Sequence, residues 1–175
     1  MTSLVAFDGD NTLWTPLSGL NLSDRTPTDS TGNPDFVYTT VNGSTKTAER
    51  SDGARYELRP EAEDVLRELR SRGILAGVVS YNHEGNVRRI LSAFGISGLI
   101  DYVVAEWHTD KDRMLKRMLD QVQAAGHRIS PSDVLLVDDD PDSLYGPECL
   151  AMGVRFRQFG VDMLDLRDVL PLTGA

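Results

Sequence analysis

Three short apolar runs in this 175-residue chain each end on a polar residue able to do chemistry. Leu4 to Phe7 delivers Asp8, with Asp10 two residues on; Ile74 to Val79 delivers Ser80; Val134 to Val137 delivers Asp138 and Asp139. Such runs, rich in Val, Ile and Leu, are the pattern of strands buried on both faces of a parallel sheet. Ligands of these sheets bind at the carboxyl ends of the strands, where neighbours lie about 5 Å apart, so the carboxylates and the Ser80 hydroxyl are expected to converge. Clustered carboxylates withdrawn from water repel one another and call for a cation, and an all-oxygen set suits Mg²⁺ better than zinc or copper. That charge attracts an oxyanion. Ser80 and a lysine would hold phosphoryl oxygens while Asp8 attacks phosphorus to give an aspartyl phosphate. Asp10 would protonate the leaving oxygen and later take a proton from water.

The elements that must position these groups are legible as alternating strands and helices. Ala62, Val65, Leu66 and Leu69 recur at helical spacing between Pro60 and Gly73; Val87, Ile90, Leu91 and Phe94 repeat it before Gly95. A third stripe, Met114, Leu115, Met118, Leu119 and Val122, precedes Gly126, its methionines reading as core filler. A weak strand over Tyr102 to Ala105, a short helix near Ser143 to Ala151 and an edge strand over Val154 to Phe156 complete the order. This predicts an α/β fold: a Rossmann-like parallel sheet with helices on both faces. Residues 15–58 break the pattern, being rich in Thr, Ser, Asp, Asn and Gly. Within them Phe36 to Val41, Asn42-Gly43 and Ser44 to Thr47 read as a β-hairpin with a tight primed turn. The expectation is a single domain, 1–175, carrying a short flap insertion over 15–58 and no large cap domain.

Composition narrows the function classes. With 18 basic against 27 acidic residues, a net charge of −9 and no basic cluster, a nucleic-acid or anionic-membrane binder is not expected. The first apolar run stops at Asp8, far short of a signal or membrane segment. One cysteine, Cys149, excludes an intrachain disulfide and reads as a core thiol, and a reducing, cytoplasmic setting follows.

Phe7-Asp8-Gly9-Asp10-Asn11-Thr12-Leu13-Trp14 resembles the first signature of the haloacid dehalogenase superfamily, Asp-x-Asp-x-Thr after a hydrophobic strand. Ser80 resembles the second signature, Lys111 ahead of the Met114 helix the third, and Val137-Asp138-Asp139 the fourth, so the resemblance spans residues 4–144. It implies a Mg²⁺-dependent phosphohydrolase with Asp8 as nucleophile and Asp10 as acid/base, and with Thr12, Ser80 and Lys111 supporting the phosphoryl group. The metal would be held by Asp8, the Asp10 main-chain carbonyl and a fourth-signature acid: Asp139, with Asp138 helping through water. The form of the first signature looks most like the small magnesium-dependent phosphatase branch, and related glyceryl-loading enzymes share it. Tyr81-Asn82 stands where that branch often has an arginine, so its substrate preferences do not transfer. The first expectation is hydrolysis of a small phosphate monoester, because a flap closes less surface than a full cap domain, with a phosphorylated macromolecule at an open site left as an alternative. Transfer to an acceptor other than water, and a receiver-like phospho-accepting module, are the alternatives.

Other residues carry less. Asn82 either hydrogen-bonds the substrate or shapes the turn. Asp140 and Asp142 read as helix caps, His83 and His108 as structural loop histidines, and Trp14 and Trp107 as packing between flap and sheet. Arg70, Arg72, Arg88 and Arg89 read as solvated helix faces.

Overall fold

The computed structural model describes residues 2–17, 37–42, 45–51, 53–140 and 142–174. In chain order the elements are β1 (Leu4–Phe7), β2 (Trp14–Pro16), β3 (Tyr38–Asn42), β4 (Lys46–Arg50), β5 (Arg55–Leu58), α1 (Ala62–Ser71), β6 (Leu75–Tyr81), α2 (Glu84–Ala93), β7 (Tyr102–Glu106), α3 (Lys111–Ala124), β8 (Val134–Asp138), α4 (Asp142–Met152), β9 (Arg155–Gln158) and α5 (Val169–Leu172). Five of the strands form a parallel sheet in the order β7-β6-β1-β8-β9. β1 therefore lies between β6 and β8, and the strand order reverses there, which is where such sheets open a crevice for ligands.

Alternation along the strands sends neighbouring side chains to opposite faces. Val5, Phe7, Ala76, Val78, Leu135 and Val137 pack with Val65, Leu66 and Leu69 of α1 and with Val87, Ile90 and Leu91 of α2. Leu4, Ala6, Val79, Val104 and Leu136 pack on the other face with Met114, Leu115 and Met118 of α3 and Cys149 of α4. Helices thus cover both faces, the two methionines are core residues, and the thiol is buried.

The segment read as a hairpin is larger than expected. β3 and β4 do pair antiparallel, but the register Asn42↔Lys46 places the link over residues 43–45 rather than in a two-residue turn; Gly43 and Ser44 lie outside the described residues. β5 and β2 extend the pairing to a four-stranded antiparallel sheet, β2-β5-β4-β3. Its inward residues Ala48, Tyr56 and Leu58 join the α1/α2 core, and the Thr40 hydroxyl bonds the carbonyl of Ala93 at the end of α2. Among the described residues no large cap domain is present.

Candidate active site

Asp8 follows β1 and Asp138 ends β8, and the register Phe7↔Val137 makes them lateral neighbours, the Asp8 N–H bonding the Val137 carbonyl at 2.8 Å. Ser80 lies in β6 opposite Ala105 of β7, one residue from the strand's end. Lys111 opens α3, and its stem runs inward until the ammonium reaches both acids. It donates to Asp8 Oδ1 and to the Val79 carbonyl, the latter at 2.9 Å, and stands 3.0 Å from Asp138 Oδ2. Asp8, Lys111 and Asp138 are 7%, 2% and 1% exposed. One ammonium among buried acids is a charge-balancing device: burial would lower the lysine's pKa, but Asp8 and Asp138 outweigh it and hold the group protonated.

Two acids and one ammonium do not close the charge balance. Asp139, half-buried just past β8, supplies a third carboxylate, and oxygens of Asp8, Asp138 and Asp139 all lie within 4.8 Å of one another. Loss of hydration raises the Asp8 and Asp139 carboxyls, and Asp138 adds to both shifts as a like charge. An all-oxygen trio with surplus negative charge fits a hard divalent cation such as Mg²⁺. Asp140 is exposed and its N–H donates to Asp138 Oδ1 at 3.0 Å, so it steadies the strand end and lies outside the trio. The Asp142 side chain lies outside the described residues.

Asp10 accepts from the indole N–H of Trp14 at 3.0 Å. Loss of hydration nevertheless pushes its carboxyl up to about 6, the indole bond opposing and nearby Asp139 adding to the rise. The loop carrying Asp8 to Thr12 is built around Trp14, which is fully buried against Phe94 with ring centroids 6.2 Å apart. Leu13 and Trp14 both bond the Gly9 carbonyl, and Asn11 takes φ 60°. Positive φ is tolerated by asparagine better than by most residues, and the Asn11 side chain also bonds Asp139. Gly9 lies against the Trp14 ring so closely that a Cβ would come within 2.6 Å of Cη2.

Thr12 and Asn82 are wholly buried, and Thr12 Oγ1 and Asn82 Nδ2 have no hydrogen-bond partner among the described residues. Asn82 also shapes the turn, its Oδ1 accepting from the His83 N–H at 2.8 Å and from Asn86 Nδ2 at 3.0 Å. Trp14 packs between the two sheets as expected. Trp107 is 42% exposed beyond β7, and among the described residues its ring stacks on His83 at 4.5 Å and tilts against Tyr81 at 5.0 Å. Its neighbour Glu106 pairs with Tyr81 across the β6/β7 edge. His108 pairs with Glu106.

Three residues of this region carry no signature in the sequence. Arg59 donates to the carbonyl of Thr12 at 2.9 Å and to that of Asn11, with its guanidinium 4.3 Å over the Phe159 ring. Arg50 of β4, 5% exposed, is close enough to lower the Asp10 carboxyl, though less than burial raises it. Asn86, buried in the first turn of α2, accepts from the Tyr38 phenol of β3.

The family model for haloacid dehalogenase-like hydrolases matches residues 20–155, more than three quarters of the chain, beginning after the Asp8 loop. The chain belongs to the haloacid dehalogenase-like hydrolases. Solved structures share the fold of this hydrolase at low identity. A HAD-superfamily hydrolase from Ehrlichia chaffeensis aligns with a TM-score of 0.66 at 12% identity, over 98% of this chain and 96% of that one. A predicted phosphoglycolate phosphatase from Haemophilus somnus gives 0.54 at 18%, over 67% of this chain and 58% of the other. The N-terminal part of a Bacteroides fragilis protein, containing a phosphatase domain complexed with Mg, gives 0.57 at 17%, over 99% of this chain and 40% of that one. The hydrolase thus spans less than two thirds of the length of these last two. No curated protein matches the sequence. Among the described residues no helix is long and apolar enough to cross a membrane.

Two outcomes follow from this geometry. Gly9→Ala drives a methyl into a buried indole and should cost about 1–3 kcal/mol in urea denaturation; a change below 0.5 kcal/mol would show that the loop is not braced by Trp14. The second concerns pH. The Asp10 carboxyl is raised from 3.8 to about 6, so the folded chain holds its proton more tightly than the unfolded chain. That contribution to stability is complete below pH 3.8 and fades as pH rises through about 6. Asp8 and Asp139 shift in the same direction. A cation that competes with these protons should raise the melting temperature more at pH 7 than at pH 5. Thermal scans with Mg²⁺ and with chelator check this, and equal increments at both pH values would count against a carboxylate metal site.

Proposed function

We propose that this hydrolase cleaves a small phosphate monoester through an aspartyl phosphate formed on Asp8. The observation that supports it best is the meeting of Asp8, Lys111 and Asp138 at the carboxyl edge of the sheet, with Asp139 within reach of the same point. In the first half-reaction an Asp8 carboxylate oxygen bonds to phosphorus and the bond from phosphorus to the ester oxygen breaks. Asp10 gives its proton to the departing oxygen, a role suited to a carboxyl raised to about 6. In the second, Asp10 takes a proton from water as the water oxygen attacks phosphorus, freeing phosphate and Asp8. Lys111 offsets the charge gathered on the phosphoryl oxygens, and Ser80, Thr12 and Asn82 supply hydrogen bonds to them. Asp8, the Asp10 main-chain carbonyl and Asp139, with Asp138, would hold Mg²⁺, which when bound supplies the positive charge that lets an anionic ester approach these acids.

The family also takes its name from carbon–halogen cleavage, in which the departing halide needs no proton. A carboxyl with raised proton affinity two residues after the nucleophile suits an alkoxide leaving group, which does need one. The four-stranded antiparallel sheet, which begins at Trp14 and otherwise lies within residues 15–58, is read as the flap over this site, in a single domain. An acidic composition, with a net charge of −9 and no basic cluster, suits a small soluble substrate rather than nucleic acid or membrane, and the single cysteine, a buried thiol, suits a reducing, cytoplasmic setting.

A panel of phosphate esters assayed with Mg²⁺ and with chelator tests the reading. Asp8→Asn should lower turnover at least about 10³-fold, and Asp10→Asn about 10²–10⁴-fold. Hydrolysis of generic esters by Asp8→Asn at the native rate would sink the nucleophile assignment.

A further inference from the structure

A hydrogen-bonded chain runs from the antiparallel sheet toward the strand-end crevice, each group donating to the next. Arg50 and Tyr38 are cross-strand partners in β4 and β3, and the Arg50 guanidinium hydrogen-bonds the Tyr38 phenol. Arginine only donates, so the phenol oxygen accepts and its own proton is free to go forward. It goes to Asn86 Oδ1. That fixes the Asn86 amide with its nitrogen facing Asn82, and Nδ2 donates to Asn82 Oδ1 at 3.0 Å. The His83 N–H, at 2.8 Å, independently requires an oxygen at that position. Asn82 therefore cannot flip without setting its NH₂ against two donors, and its own Nδ2 is held on the opposite branch.

That nitrogen is the last donor of the chain. It has no partner among the described residues although Asn82 is fully buried, and it belongs to the residue two positions beyond Ser80 at the mouth of the crevice. A buried donor left unpaired is costly and gains most from a charged acceptor. Every dipole in the chain points the same way, away from a cation, and such alignment strengthens each successive bond.

We infer that Asn82 is a phosphoryl-oxygen donor aimed from the antiparallel sheet, with Asn86 and Tyr38 as positioning residues and Arg50 as the charge at the head of the chain. The identity of the anion rests on the phosphatase reading. The positioning itself does not. If the antiparallel sheet moves off α2, the Tyr38 to Asn86 bond is the link that breaks, so the grip on the anion depends on the sheet's placement.

The test uses inorganic phosphate as probe, titrated calorimetrically into the native protein with Mg²⁺, beside KM and kcat for p-nitrophenyl phosphate. Asn86→Asp keeps the volume but turns the donor facing Asn82 into an acceptor, and should weaken phosphate binding and raise KM together by about tenfold. Asn82→Leu should do at least as much. Tyr38→Phe, which retains the ring and removes only the hydroxyl, should give about threefold in both constants, with kcat within about twofold and the melting temperature nearly unchanged. If Asn86→Asp does not fold, Tyr38→Phe decides. Phosphate affinity and KM within twofold of native in a folded Tyr38→Phe and Asn86→Asp pair would overturn the inference, as would failure of the native protein to bind phosphate. Native protein that binds phosphate in this graded way but hydrolyses no ester would leave the chain standing and remove the phosphatase reading. Turnover that depends on Asp8 but ignores all three substitutions would do the reverse.

Discussion

The Lys111 ammonium lies where three chain segments meet, bonded to Asp8 after β1, to Asp138 at the end of β8 and to the Val79 carbonyl of β6. Without it, two carboxylates would stand side by side at the end of a hydrophobic sheet, each out of water and each repelling the other. Removing one member of such a buried set leaves an uncompensated charge, which costs far more than a surface ion pair contributes. The strand order brings these partners together: with β1 between β6 and β8, one lysine arriving from α3 reaches an acid beyond each of two neighbouring strands and a carbonyl on the third.

A second layer keeps the Asp8 loop in its turn. Trp14 is buried beneath Gly9, gives its N–H to Asp10 and meets Phe94 of the α2 side. Arg59 binds the carbonyls of Asn11 and Thr12 from outside and is itself held over Phe159. The loop is thus gripped on its inner side by an indole and on its outer side by a guanidinium. The two grips come from the residues on either side of the segment 15–58, Trp14 just before it and Arg59 just after it, so the Asp8 loop is shaped where that segment leaves and rejoins the rest of the chain.

The parallel sheet could be read from the chain because each of its inner strands is an uninterrupted apolar run, and a run ending in Asp or Ser is conspicuous. The stripes of α1, α2 and α3 were equally plain, each closed by a glycine that takes positive φ. The antiparallel sheet was not, and β4 shows why. Its inward positions are Ala48 and Arg50, so the residue that would mark the buried face of a strand is a small side chain followed by a charged one. β2 is three residues long and ends on proline, and β5 buries only Tyr56 and Leu58. Asn86 was hidden for the opposite reason: it falls on the apolar face of α2, where its neighbours at helical spacing announce core rather than a polar link.

Asp10 is where the two halves of the molecule act on one group. Burial raises its proton affinity most and the nearby Asp139 adds to the rise, while the Trp14 N–H, the Lys111 ammonium and, least, the Arg50 charge of the antiparallel sheet lower it. Burial acts most strongly, and the opposing bond and charges leave the carboxyl raised to about 6. Arg50, one of the polar residues that obscure β4 in the sequence, is thus among the charges that act on a carboxyl forty residues away.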